Sequence, residues 1–61
     1  MHKLVDGFLN KGVKVELQGG SVSIGELTAI EDDFLEITHR NGLRSIIKYS
    51  SVSQIAELPG R

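Results

Sequence analysis

The segment Gly25–Ile37, GELTAIEDDFLEI, constrains the fold of this chain more than any other stretch. Its acidic triplet, Glu31-Asp32-Asp33, separates two runs that are rich in apolar residues. Aspartate tolerates the left-handed backbone conformation and bonds its own backbone, so we interpret the triplet as a tight turn rather than as a metal site. The segment therefore predicts the central hairpin of a small, strongly curved antiparallel sheet.

The strand before this turn changes its alternation at a glycine. Val22 and Ile24 are expected on the inner face of the sheet, whereas Leu27 and Ala29 form the apolar pair farther along the same strand. Strict alternation cannot bury both pairs, so we predict that the phase slips by one at Gly25-Glu26. A glycine at such a slip is typical of a β-bulge or sharp bend, which lets one strand serve two sides of a barrel.

The remaining strands follow from the same period of two. The expected inner-face residues are Val13, Val15 and Leu17 in the first strand and Leu35 and Ile37 in the third, with Glu36 and Thr38 outward. The expected hairpin turns are Gln18-Gly19-Gly20 and Arg40-Asn41-Gly42, and a short connection is expected at Ser50-Ser51. The fourth and fifth strands are predicted at Leu43–Tyr49 and Val52–Leu58, and Pro59 ends the fifth because proline cannot continue a ladder.

An amphipathic helix is predicted ahead of the sheet, over residues 1–11. Its apolar stripe consists of Leu4, Val5, Phe8 and Leu9. Gly12 follows and is expected to cap the C-terminal end of the helix, where glycine commonly adopts the left-handed conformation. We expect this helix to cover one end of a barrel.

The length of 61 residues predicts a single domain with a marginal core. The absence of cysteine excludes disulfides and thiolate metal sites, and the two histidines, His2 and His39, have no ligand spacing. We therefore expect no metal and no other cofactor, and we expect self-association to add stability. No apolar run is long enough for a membrane span and no signal peptide is recognisable, so the predicted location is cytoplasmic.

The last two strands carry more apolar surface than a small interior needs. These residues are Ile46, Ile47, Val52, Ile55 and Leu58. Edge strands with spare apolar side chains and little charge favour pairing with another copy, and head-to-tail pairing of this kind can close a ring. The formal charge of −1 gives a monomer no strong electrostatic reason to bind nucleic acid, but a ring would gather one lysine per copy into a circle.

The order of elements and two motifs resemble the Sm/LSm/Hfq superfamily, from Leu4 to Leu58. The first motif, a bend glycine, an aliphatic residue and an acidic turn, is matched by Gly25, Leu27, Glu31-Asp32 and Phe34. The second is matched by the aliphatic residues of IKYSSVSQI, residues 47–55. The resemblance implies an N-terminal helix, a five-stranded, strongly bent Sm-like (SH3-like) barrel at residues 13–58, and a single Sm-like domain over residues 1–61. It further implies a homo-oligomeric ring of five to seven copies, closed by strand four of one copy and strand five of the next.

The resemblance also implies an RNA site at the inner rim of such a ring, with Lys48, Tyr49 and Asp33 as its residues. Lys48 stands where the family has an arginine, so it keeps the charge without the planar fork. Tyr49 stands in place of a glycine, Asp33 in place of the residue that stacks on a base, and Leu35 in place of an asparagine that bonds a uracil edge. Lys48 is equally interpreted as solvated, Tyr49 as an interface residue and Asp33 as a turn residue. The base pocket is therefore expected to be altered.

Two functions stay open at this point: a ring that binds single-stranded RNA, and an Sm-like or SH3-like protein-interaction or assembly module without RNA binding. No nucleophile–base pair or nucleotide loop is recognisable, so we expect no catalytic residues and no enzymatic activity. His39 is interpreted as structural and Phe34 as a core or interface residue. Arg40 and Arg44, which flank the Asn-Gly turn, are expected to be solvated.

Overall fold

The fold is described by a computed structural model for residues 3–59, with the backbone alone described at Lys3. In chain order the elements are α1 Lys3–Asp6, β1 Gly12–Leu17, β2 Val22–Glu31, β3 Phe34–Thr38, β4 Arg44–Lys48, a 3₁₀ turn Tyr49–Ser51 and β5 Val52–Glu57. The strands form one antiparallel sheet in the order β4-β3-β2-β1-β5. The prediction of a mostly β fold with five antiparallel strands is confirmed. No helix within residues 3–59 is long and apolar enough to cross a membrane.

Strand β2 holds the sheet together because it pairs with different partners along its length. Its first half, Val22–Glu26, pairs with β1, and its second half, Glu26–Glu31, pairs with β3. Glu26 lies opposite both Gly12 and Thr38, so the change of partner falls at this residue. Strand β2 therefore connects the β1 and β3 parts of the sheet.

The sheet is curved rather than flat. A flat five-stranded sheet would hold β4 and β5 four strand spacings apart, about 19 Å. The chain from Lys48 to Val52 can span at most about 15 Å even when fully extended, and here it is wound into a 3₁₀ turn. The Gln18 amide also donates to the Ser51 carbonyl over 2.9 Å, which fixes the turn against the β1–β2 hairpin. The two edge strands are therefore drawn towards each other at this end.

The core lies inside the curve and is entirely aliphatic. Its buried members are Val5, Val13, Val15, Leu27, Leu35, Ile37 and Ile47. The inward prediction for β1 and β3 is confirmed, and Leu17 packs at the core's margin. Tyr49 and Phe8 also pack against it from outside.

The inward prediction for Val22 and Ile24 is wrong. Val15 lies opposite Ser23 and Val13 lies opposite Gly25, and directly opposed residues share a face. Ser23 and Gly25 therefore face inward, and Val22 and Ile24 are each 52% exposed on the outer face.

The predicted phase slip at Gly25-Glu26 is also displaced. Inward alternation runs without interruption through Gly25 to Leu27, and the register shifts between Leu27 and Ala29 instead. This irregularity turns Ile30 towards the core, opposite Leu35, and places Ala29 opposite Glu36 on the outer face. The prediction that Ala29 is buried with Leu27 is therefore wrong. Gly25 is required for a different reason, which is the close approach of β3 to β2 at this residue.

The N-terminal helix is shorter than predicted. It ends at Asp6, a series of turns follows, and Asn10 rather than Gly12 adopts the left-handed conformation, with φ of 68°. The Asn10 amide donates to the Leu27 carbonyl over 2.7 Å, so the chain joins β2 before Gly12, which begins β1. Val5 is buried, but Leu4 is 90% exposed, so the expected four-residue stripe is only partly used. Residues 1 and 2 of the predicted helix lie outside the described range.

The three predicted hairpin turns, at residues 18–20, 31–33 and 40–42, are confirmed. Gly20 and Gly42 adopt positive φ values of 97° and 91°, which glycine takes without strain. Asp32 does so at 51° in the acidic turn, which joins Glu31 directly to Phe34 across the hairpin.

Candidate binding surfaces

The three residues proposed for RNA binding meet at one corner of the sheet. Lys48 ends β4 opposite Phe34, the residue after Asp33. The Tyr49 amide donates to the Asp33 carbonyl over 2.6 Å, which ties the β4 end to the β2–β3 turn. Residues separated by fifteen positions in the sequence are thus brought together by β3–β4 pairing. We call Asp33, Lys48 and Tyr49 the corner.

The members of the corner differ in what they present to solvent. Lys48 and Asp33 are exposed, whereas Tyr49 is half-buried and packs against the core. Glu31 and Asp32 lie in the same turn as Asp33, so three acidic residues adjoin the end of β4 that carries Lys48. Leu35 is buried at 1% exposure, so the position that the resemblance assigns to base recognition belongs to the core here.

An uncharged groove runs along β5, and we call it the β5 groove. It has a volume of about 450 Å³. Its lining consists of Leu4, Val5, Phe8, Tyr49, Val52, Ser53, Gln54 and Ile55. Because β5 is the edge strand of the sheet on this side, the groove places apolar side chains beside an open strand edge.

A second concavity lies on the outer face of β2, β3 and β4, and we call it the outer-face pocket. It has a volume of about 230 Å³. Its lining consists of Ala29, Glu31, Asp32, Phe34, Leu35, Glu36 and Ile46. Phe34 and Ile46 are 46% and 64% exposed, so the core alternative for Phe34 is wrong, whereas its interface alternative stays a prediction.

One wall of this pocket is already organised by hydrogen bonds. The Thr28 hydroxyl donates to Glu36 Oε1 over 2.8 Å and lies 2.9 Å from the Thr38 hydroxyl. The Arg44 guanidinium lies 3.4 Å from Glu36 Oε2. Arg44, which the sequence suggested was solvated, is therefore the ion-pair partner of Glu36, although its side chain remains two-thirds exposed.

His39 has two partners that the sequence did not reveal. Its Nδ1 lies 2.9 Å from the Ile24 carbonyl oxygen and its Nε2 lies 2.7 Å from the Ser45 hydroxyl. A carbonyl oxygen can only accept, so Nδ1 carries a proton, and in the neutral ring Nε2 accepts from Ser45. The imidazole therefore links β2 to β4 just beyond the end of β3.

The Ser45–His39 contact has the length of a nucleophile–base pair, but its surroundings favour a structural role. The group on Nδ1 is a neutral backbone carbonyl, which orients the ring without offsetting a positive charge on it. Ser45 lies on the inner side of β4, opposite Ile37, and lines neither the β5 groove nor the outer-face pocket.

Across residues 3–59, no three histidine, aspartate or glutamate side chains converge to hold a metal ion. Comparisons of the chain with protein-family models, with curated proteins and with solved structures gave no match.

Proposed function

We propose that this chain is a non-enzymatic, self-assembling module of the Sm-like kind. In this proposal the curved sheet is an Sm-like barrel, and β4 of one copy pairs with β5 of the next to close a cytoplasmic ring of five to seven copies. The observation that carries the proposal is the position of these two strands. They form the two edges of the sheet, and each carries apolar side chains that its own chain leaves partly uncovered.

One antiparallel register places apolar side chains opposite each other on both faces of the proposed β4–β5 pair. When Ile47 is placed opposite Ile55, two inward-facing residues meet. The same register places Ile46 opposite Ala56 on the outer face and Lys48 opposite Gln54. Cross-strand apolar pairs of this kind stabilise a sheet by roughly 0.2–1 kcal/mol each.

Pairing of β4 with a second β4 is less favourable. An antiparallel pair centred on Ile46 would place Arg44 opposite Lys48 twice, and like charges directly opposite each other destabilise a sheet. The β5 edge offers no cation opposite Arg44 or Lys48 in the register above. Charge thus favours the head-to-tail pairing that closes rings.

A disulfide experiment tests this register, because the chain contains no cysteine of its own. Directly opposed residues have Cα atoms about 4.5–5.5 Å apart, within disulfide range. The double variant Ile46→Cys/Ala56→Cys should therefore form a ladder of covalent oligomers on oxidation, up to the ring size.

The matched control is Ile46→Cys/Gln54→Cys, in which the two residues are displaced by two positions. Their separation of about 7–8 Å exceeds the range that a disulfide can bridge without backbone movement. Native mass measurement of the unmodified chain accompanies both variants. A clean monomer, or equal cross-linking of the two variants, would overturn the proposal.

Single-stranded RNA binding at the corner is the second candidate function. The exposed Lys48 beside Tyr49 favours it, because a ring would repeat this pair around its inner rim. The three neighbouring carboxylates oppose it, since each weakens the attraction of the corner for phosphate. For this reason we rank assembly without RNA as the better-supported function.

Titration of short U-rich and A-rich oligonucleotides at low and moderate salt distinguishes the two candidates. RNA binding through the corner requires an affinity that falls with salt and is lost in Lys48→Glu, because phosphate contacts release counterions. Lys14→Glu is the control, since Lys14 lies on β1 away from the corner. No binding at low salt removes the RNA candidate and leaves assembly as the function.

A further inference from the structure

We propose that the outer-face pocket binds an arginine side chain presented by a partner polypeptide. The pocket combines an apolar floor with an acidic rim. Ala29, Phe34 and Ile46 supply the apolar surface, and Glu31 and Asp32 supply the carboxylates nearest to the turn. The lining includes no lysine, arginine or histidine. Lys48 lies opposite Phe34 and Arg44 pairs with Glu36, but these two cations are outnumbered by the carboxylates of Glu31, Asp32 and Glu36, so the charge balance favours a cation over phosphate.

The free carboxylates define the charge of the expected occupant. Glu36 is held by Arg44 and Thr28, so its charge is already offset. Among residues 3–59, neither Glu31 nor Asp32 takes part in an ion pair. Lys48 lies opposite Phe34 on the same face, but within residues 3–59 it forms no ion pair with either carboxylate, so both remain available to a bound cation.

The dimensions favour one long side chain over a small-molecule ligand. A volume of about 230 Å³ lies below the range of roughly 300–1,000 Å³ that is usual for ligand pockets. Arginine fits the remaining features better than lysine does. Its planar guanidinium stacks on an aromatic face such as Phe34 and pairs with a carboxylate through two hydrogen bonds.

The pocket remains open in the proposed ring. Pairing of β4 with β5 uses the hydrogen-bonding edge of β4, in the plane of the sheet, whereas the pocket is lined by outer-face side chains such as Phe34, Glu36 and Ile46. Ile46 would then have Ala56 of the next copy beside it on the same face. Arginine binding therefore goes beyond the proposed assembly and does not depend on it.

The test is a titration of the full ¹⁵N-labelled chain with the peptide acetyl-Gly-Leu-Arg-Leu-Gly-amide at low salt, followed by NMR. We expect the amide resonances of Phe34, Ile46 and the acidic turn to shift. A peptide with citrulline in place of arginine keeps the shape and removes the charge, so it should bind about tenfold more weakly or worse. The lysine peptide should be intermediate because it lacks the planar fork.

Matched variants localise the binding. Glu31→Gln/Asp32→Asn removes both charges, and asparagine tolerates the positive φ of Asp32, so the turn should persist. This variant should bind about tenfold more weakly, and Phe34→Leu about threefold more weakly. Glu26→Gln removes an exposed carboxylate that does not line the pocket and should leave the affinity unchanged.

Equal affinity for the arginine and citrulline peptides would overturn the proposal, as would unchanged binding by Glu31→Gln/Asp32→Asn. The absence of shifts at low salt, or shifts of these resonances by an oligonucleotide instead of the peptide, would overturn it equally. The mass of the assembly is measured in the same samples. A monomer that binds the arginine peptide contradicts the ring alone, and a ring that does not bind it contradicts the arginine site alone.

Discussion

Gly25 lies so close to Thr38 that a methyl group on Gly25 would stand 2.6 Å from the Thr38 carbonyl oxygen. The same methyl group would stand 2.8 Å from Ile37 Cγ2. Both neighbours belong to β3, at the point where β2 exchanges β1 for β3 as its partner. The close approach of the β2 and β3 backbones thus depends on the absence of a side chain at Gly25.

Replacement of this glycine is therefore expected to destabilise the fold. Gly25→Ala forces the end of β3 to move, and overpacking of this kind costs about 1–3 kcal/mol. Gly19→Ala is the matched control, because a methyl group there would meet nothing within 4 Å. We expect its free energy of unfolding to stay within about 1 kcal/mol of the parent. Urea unfolding measures both, and equal effects would contradict a role for close approach.

The inner face of β2 shows why part of the fold escaped prediction. The period-two alternation was sufficient to predict the inward faces of β1 and β3, because those strands alternate cleanly. The glycine and aspartate residues were sufficient to predict the three hairpin turns. In β2 the aliphatic residues Val22 and Ile24 seemed the natural inward choice, but Ser23 and Gly25 take the inner positions. At Gly25 the close approach of β3 leaves no room for a side chain, a constraint that becomes visible when the opposing strand is in place.

The register of β2 makes a prediction about two isoleucines. Ile37 is fully buried and Ile24 is half exposed, so Ile37→Ala should cost about 2–5 kcal/mol and Ile24→Ala roughly 1 kcal/mol or less. The side chain removed is the same in both variants. Chemical denaturation gives the two free energies, and a larger loss for Ile24→Ala would show that Ile24 faces inward after all.

The candidate surfaces were only partly accessible from sequence. The corner was found because its residues lie at motif positions, whereas the outer-face pocket was missed. The sequence of β3 did contain a signal for this pocket. Leu35 and Ile37 point inward, so Phe34 must point outward together with Glu36. The His39–Ser45 link left no such signal, because it joins side chains through the three-dimensional course of the strands.

The His39 link is expected to contribute measurable stability. His39→Ala removes the bonds to the Ile24 carbonyl and to Ser45 and should cost about 1–3 kcal/mol. Ser45→Ala should cost about 1 kcal/mol. Arg40→Ala, an exposed neighbour, should stay within about 0.5 kcal/mol of the parent.

Coupling between the two residues separates the link from ordinary packing. If Ser45 donates to His39, the double variant should lose about 0.5–1.5 kcal/mol less than the sum of the single variants. Strict additivity in thermal or urea unfolding would indicate that the two side chains act independently.

The proposed ring makes its own prediction at Ile46, the exposed aliphatic residue in the middle of the β4 edge strand. Ile46→Glu would place a carboxylate opposite Ala56 of the next copy and should shift the assembly towards monomer, because charge on an edge strand opposes pairing. Val22→Glu is the matched control, since Val22 is also exposed and apolar but lies on β2 within the sheet. Light scattering after size-exclusion chromatography measures the mass of both. Each new carboxylate lies opposite a glutamate of its own chain, Glu36 for Ile46→Glu and Glu16 for Val22→Glu, so the two variants carry a similar intrachain cost. Loss of assembly in Ile46→Glu alone would therefore identify β4 as an assembly edge. Loss of assembly in neither variant, or in both alike, would instead indicate that the contact between copies lies elsewhere.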